Sequence, residues 1–236
     1  MGLGEVGFEP DDLPVLGDGA VVMALPDKDV TQVSVGRGEV WFEPDSLSTE
    51  QGFPFFLTQG AIFHGVVLAE RSSGLEGVAR IQQGLAAFRA TGAELYRPYF
   101  LGLLAEADGK ADGVEEGLAV LTEAFAVVEK TGERFYEAEL YRLQGELTLR
   151  SKAQRIKDHG EAEAEKCFVQ AIEVARKQSG KSLELRATMS LARLLAAQGR
   201  RDEAHAMLAE IYGWFTEGFD TADLKDAKAL LDELSN

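Results

Sequence analysis

Five residues in the second half of the chain have side chains and spacings suited to gripping a charged partner: Glu139, Arg142, Glu146, Arg186 and Arg193. Steps of three, four and seven residues keep each group on one face of a helix. Arg186 and Arg193, offered by one helix, could fork onto carboxylates of a peptide or small ligand, since each guanidinium presents paired N–H donors. On this reading Arg142→Ala and Arg186→Ala abolish binding and leave the melting temperature nearly unchanged. The same residues also admit an internal arrangement. Glu139 could pair with Arg186, and Glu146 with Arg193, across neighbouring helices at about 0–1 kcal/mol per half-exposed pair.

Other constellations fail on context. Gly180-Lys181-Ser182 has the ending of a phosphate-binding loop, but the position of its first glycine holds Ala175, inside a helical run with no strand before it. Gly2 to Gly7 (GLGEVG) matches the dinucleotide glycine spacing without a strand ahead or a helix behind. His64 on the first helix, His159 in an inserted loop and His205 on the eighth helix are far apart, and one cysteine gives no zinc spacing. Cys167, beside Phe168, reads as a small packing residue, with no nearby histidine to activate it. Carboxylate pairs are abundant among 40 acidic residues, and none has the apolar flanks that raise a pKa into a working range. No catalytic residue, metal or cofactor is expected.

The elements that must position the charged row follow from a recurring pattern. A small residue, a large apolar one four later and a small or apolar one seven later occur at Gly77/Ile81/Gly84, Gly117/Leu121/Ala124, Ala164/Phe168/Ala171 and Ala204/Leu208/Ile211. The steps are 40, 47 and 40 residues. Twelve residues earlier stand Gly65, Ala105 and Ala192, and Gly145 joins them once seven extra residues are assigned to the polar stretch 151–160. Helices that cross closely need Gly or Ala at the crossing, and the large residue fills the adjoining groove. The pattern predicts helix pairs 52–71 with 75–91, 93–109 with 113–131, 133–150 with 161–178, and 182–198 with 201–215. A closing helix over 222–234 would start from Asp220 or Thr221 and cover the last pair. Gly92 and Gly132 supply the left-handed residue that ends two of the helices.

The fold class is therefore all-α, a right-handed solenoid of four helical hairpins plus a capping helix. The spacing resembles tetratricopeptide repeats with a period longer than the usual roughly 34 residues; HEAT-like packing is the alternative. Counting six before, three before and one after each first-helix crossing residue gives the groove-facing rows. They hold Gln59, Tyr99, Glu139 and Arg186; Ile62, Gly102, Arg142 and Met189; and Val66, Glu106, Glu146 and Arg193. Gly102 would leave room beside Tyr99 for a stacked ligand, whereas Phe88, Phe125, Phe168 and Trp214 fit core positions.

Residues 1–50 are a different segment, with 11 acidic and 2 basic residues, against 29 and 22 in the remaining 186. They are rich in Gly, Asp and Pro, with short strands expected over 20–25 and 30–35. The ten residues from Gly4 (GEVGFEPDDL) return from Gly38 (GEVWFEPDSL) with eight identities, as a docking motif or as a local duplication. The net charge of −16 repels phosphate backbones and disfavours direct nucleic-acid binding. No apolar run approaches the roughly 20 residues of a membrane span, and no secretory signal is expected. One cysteine fits a reducing cytoplasm.

Several segments carry a closer likeness: Gly52 to Phe56 (GFPFF), Thr91 to Tyr99 (TGAELYRPY), Lys130 to Leu143 (KTGERFYEAELYRL), Lys181 to Ala187 (KSLELRA) and Gly213 to Leu224 (GWFTEGFDTADL). Over about 46–236 the chain resembles the C-terminal helical-repeat region of large bacterial adenylate/guanylate-cyclase-like proteins with a predicted ATPase module. The resemblance implies a sensor or scaffold end, detached from cyclase and ATPase domains that would precede it, and no nucleotide chemistry carries over. The expectation is a non-enzymatic module binding a protein or peptide, or a cyclase or ATPase module, on its concave face. A metabolite sensor is the second expectation.

Overall fold

The structure is a computed structural model. It describes four strands between residues 15 and 42, residues 54–71, 74–151 and 157–235, and the side chains of 57–70, 74–151 and 160–235. The chain divides into two compact units, Met1–Ala93 and Glu94–Asn236.

The first unit holds an antiparallel meander and one helix pair. Strands β1 (Val15–Leu16), β2 (Ala20–Ala24), β3 (Thr31–Val35) and β4 (Gly38–Phe42) pair in sequence order. Val22 lies opposite Val33, and Val33 opposite Val40. Strands β2 and β3 match the expected ones. Strand β4 was not anticipated: half of the second GEV copy is a strand, while the first copy, residues 43–47 and the expected turn at 26–29 lie outside the described residues.

Helices α1 (Pro54–Arg71) and α2 (Gly74–Ala90) cross where the small residues required it. A Cβ on Gly65 would sit 2.7 Å from the Ile81 backbone nitrogen, and one on Gly77 would sit 2.4 Å from that of Ala69. Neither backbone can yield, so glycine is obligatory at both. Phe88 is fully buried in this pair.

The second unit contains three pairs and a closing helix: α3 (Arg97–Lys110) with α4 (Val114–Thr131), α5 (Glu137–Arg150) with α6 (Lys157–Gln178), α7 (Lys181–Ala197) with α8 (Arg201–Tyr212), and α9 (Ala222–Ser235). The crossing residues Ala105, Ala164, Ala192 and Ala204 are all 0 % exposed. At Gly145 the ring of Phe168 fills the space, 2.4 Å from where a Cβ would lie. Leu224, Ala227, Leu231 and Leu234 of α9 join the core formed with α7 and α8, as a cap does. Thr221 directly precedes α9, and its hydroxyl donates to the Gly218 carbonyl at 2.7 Å.

Gly92 and Gly132 adopt φ of 76° and 75°, and the Gly132 N–H bonds the Val128 carbonyl at 2.8 Å.

Helix α5 starts at Glu137, not 133, and other expectations also need correction. Helix α6 starts at Lys157, not near 161, so His159 is helical and the run that reads as polar loop supplies a first turn. Helix α3 starts at Arg97, not 93, because Tyr96 takes a left-handed φ of 64° just before Pro98 fixes the first turn. Trp214 is 58 % exposed, not core, with the Lys181 ammonium 5.6 Å from the ring centroid.

Candidate binding face of the second unit

The first helices of the three pairs, α3, α5 and α7, are neighbours, with α7 also touching α9. Gly145 of α5 meets Phe168 of α6, and the predicted rows form a face roughly a quarter turn round the helices from the crossing residues. The face carries Tyr99 and Glu106 from α3, Glu139, Arg142 and Glu146 from α5, and Arg186 and Arg193 from α7. Gln59 belongs to α1 in the first unit, where it is half-buried.

The charged residues form one network. Arg142 donates to Glu139 Oε1 from Nη2 at 2.7 Å and from Nε at 2.9 Å, and to Glu146 Oε1 from Nη1. Arg186 donates from Nη1 to the same Glu139 oxygen at 3.5 Å and from Nε to Asp223 Oδ2 of α9 at 2.8 Å. The Ser190 hydroxyl donates to Glu146 Oε1 at 2.9 Å. Steps of three and four along α5 set the spacing of the Glu–Arg–Glu ladder, and α7 and α9 bring the rest.

Burial makes this more than a surface pair. Glu139 is 2 % exposed and the Arg142 side chain 12 %. Burial pushes the Glu139 carboxyl upward, but Arg142 and Arg186 outweigh it and hold it below the usual carboxylate range. Burial disfavours the charged Arg142 guanidinium, and Glu139 and Glu146 reverse that balance. Such a network is costly to break from one side, because the remaining charge is left buried and uncompensated.

Of the two internal pairings considered, Glu139 with Arg186 forms. Glu146 instead takes Arg142 and Ser190, and Arg193 is exposed with no ion pair to a described residue. Glu106 is half-exposed and bonded to Lys110 at 3.0 Å. Ile62, Val66, Gly102 and Met189 do not line an open groove; all four are buried. The space beside Gly102 is filled by Tyr136 and Leu140, each about 3 Å from where a Cβ would lie.

Tyr136 was missed by the row count because it stands one residue before α5. Its ring meets Tyr99 edge-to-face at 4.7 Å, and Tyr99 lies near Phe100 and Phe135 as well. Burial, together with Glu139 and Glu106, holds its phenol well above the ordinary value, so it stays neutral. The missing glycine side chain at Gly102 was the available signal: a vacancy at a crossing implies a bulky neighbour.

Cys167 is buried, and burial first, then Glu163, pushes its thiol up to about 11, which suppresses the thiolate. Among the described residues no group of His, Cys, Asp and Glu could hold a metal. None of the described helices is long and apolar enough to cross a membrane.

No family model matches the chain. An uncharacterized protein of Rhizobium meliloti is 34 % identical over 142 residues, 60 % of this chain but only 13 % of that protein's length. Two crystal structures of a Podosopora anserina protein assigned as a kinesin light chain, one of them a single-substitution variant, share the architecture. Both consist of nearly identical TPR-like repeats, at TM-scores of 0.57 and 0.56 with 18 % and 19 % identity. Each covers 78 % of this chain and 87 % of the other. At that identity the likeness establishes the fold: paired helical hairpins of the TPR-like kind.

Proposed function

We propose that this chain is a non-enzymatic interaction module that binds a peptide or a partner domain on the face of α3, α5 and α7. Residues 51–236 form the binding domain and residues 1–50 a separate acidic segment. The observation that carries the reading is the contrast between the two sides of these helices. One side is apolar and packed on the second helices; the other concentrates Tyr99, Glu106, Glu139, Arg142, Glu146, Arg186 and Arg193. TPR-like folds commonly serve as scaffolds for protein partners. The role we propose is regulatory or scaffolding, in a cytoplasmic signalling system of the cyclase or ATPase type, on the likeness of segments such as Lys130 to Leu143 to the helical-repeat region of cyclase-like proteins.

A photoreactive amino acid in place of Arg193, exposed on this face, tests the reading in source cells. Cross-linking to a discrete protein partner is expected there, and none from the same group in place of Val169, which is exposed on α6. Equal cross-linking from both positions, or only from 169, would remove the face from consideration.

A metabolite-sensor reading is favoured by one observation, a groove of about 740 Å³ in the first unit lined by Leu57, Ala61, Gln83 and Ala87 among others. That size suits a small ligand. A metabolite at 100 times its dissociation constant would add about 2.7 kcal/mol of stability, visible as a rise in melting temperature.

A further inference from the structure

We propose that the face of α3, α5 and α7 receives a cationic side chain of a partner polypeptide, arginine or lysine, in the corner formed by Tyr99, Tyr136, Glu106 and Glu139. This rests on the reading of that face as the binding surface and adds the sign of the charge it selects.

The geometry first argues against an acidic ligand. The donors of Arg142 are spread over Glu139 and Glu146, and those of Arg186 over Glu139 and Asp223. An incoming carboxylate would have to displace these internal partners. Three carboxylates surround two guanidiniums, which leaves a negative charge in excess. Glu106 is balanced by Lys110, and Arg193 stands two helical turns from Arg186.

The geometry next supplies an acceptor. All three guanidinium contacts to Glu139 converge on Oε1. Oε2 is buried and has no hydrogen-bond partner among the described residues. A buried carboxylate oxygen with no donor is a binding capacity waiting for an N–H group.

The walls suit a cation as well. Tyr136 lies over Gly102, which precedes Glu106 by one turn of α3, and Glu139 follows Tyr136 by three residues, so helical spacing brings both carboxylates near that ring. Tyr99 stands edge-to-face on Tyr136 at 4.7 Å, and ring faces attract ammonium and guanidinium groups. The chain's net charge of −16 draws basic segments toward it during encounter.

Three fluorescein-labelled octapeptides test the assignment by polarisation against the full chain: alternating Gly and Arg, alternating Gly and Glu, and alternating Gly and Ser. The Gly-Arg peptide is expected to bind, with the other two weaker. Glu139→Gln should raise its Kd by about tenfold or more, and Tyr99→Ala and Glu106→Gln should each raise it by about threefold. Glu203→Gln, an exposed carboxylate on α8, should leave it unchanged; this separates a built site from general attraction to an acidic protein.

If Glu139→Gln fails to melt like the parent, Tyr99→Ala and Glu106→Gln decide the matter. Native melting with unchanged affinity in both overturns the proposal, as does a Gly-Arg peptide that does not bind. Preference for the Gly-Glu peptide, lost in Arg186→Ala, would also overturn it while leaving the binding face in place. Loss of the cross-link from position 193 would instead count against the face itself.

Discussion

Two buried carboxylates of the second unit, Glu139 on the charged face and Asp108 at the end of α3, show what a charge partner does that burial alone cannot. Their exposures are similar, 2 % and 5 %, and each leaves one oxygen without a donor among the described residues. Glu139 has Arg142 and Arg186 and is held ionised below the usual range. Asp108 has burial and then the repulsion of Glu116, and its carboxyl is pushed up to about 6. One carboxylate is built into the face as a charge. The other is a buried acid tolerated where α3 turns toward α4.

The largest expected effect comes from breaking the first case. Arg142→Ala leaves Glu139 buried without its main cation and should cost about 3–5 kcal/mol at neutral pH, read from denaturant melts. This departs from the sequence-level expectation that the arginine is dispensable for stability, and the departure comes from its burial. The sign with pH follows from the lowered Glu139 value. The network's stability is complete at neutral pH and is lost as pH falls through a value below the ordinary carboxylate range. The penalty of Arg142→Ala should therefore shrink in acid.

A packing change at the crossing of α5 with α6 calibrates that figure. Gly145→Val drives a branched side chain into the Phe168 ring and should cost about 1–3 kcal/mol, with no dependence on pH. A penalty that varied with pH as Arg142→Ala does would mean that the charged face and the crossing are coupled.

Asp108 should behave in the opposite sense. Its folded value, about 6, lies above its ordinary 3.8, so the folded state holds the proton more tightly and loses stability as pH rises from about 4 through 6. Asp108→Asn is expected to raise the melting temperature by about 2–4 °C at pH 7 and to change little below pH 4. A destabilised Asn variant at pH 7 would mean that the ionised carboxylate has a favourable partner. The smallest effect belongs to Glu203→Gln, whose exposed pairing with Arg200 is screened by solvent, so its melt should match the parent's.

The helix pairs were legible because a close crossing has one physical requirement, the absence of a side chain. That requirement leaves Gly65, Gly77, Ala105, Gly117, Gly145, Ala164, Ala192 and Ala204 in the sequence at fixed offsets. Helix ends were less legible. Lys157 to Gly160 has the polarity of a loop, and nothing local distinguishes it from a solvated first turn. Strand β4 lies inside a repeated decapeptide whose Gly, Glu and Pro are poor strand formers, and only its pairing with β3 makes it a strand.

The charged face was legible as positions and not as partners. Counting along the helices put Glu139, Arg142 and Arg186 together, but a carboxylate accepts any donor that tertiary packing brings near. Arg186 reaches Asp223 because α9 packs beside α7, which no repeat count specifies. Tyr136 took the room assigned to a ligand because it precedes α5 and fell outside the helical register.

The most direct measurement of whether this face binds is to follow the NMR signals of the arginine Nε–H groups as the Gly-Arg octapeptide is added. The Nε–H groups of Arg142 and Arg186, which bond Glu139 and Asp223, should shift together, while that of Arg200, bonded to Glu203 on α8, should stay in place. Movement of Arg200 alone, or binding that leaves Arg142 and Arg186 unmoved, would contradict the account.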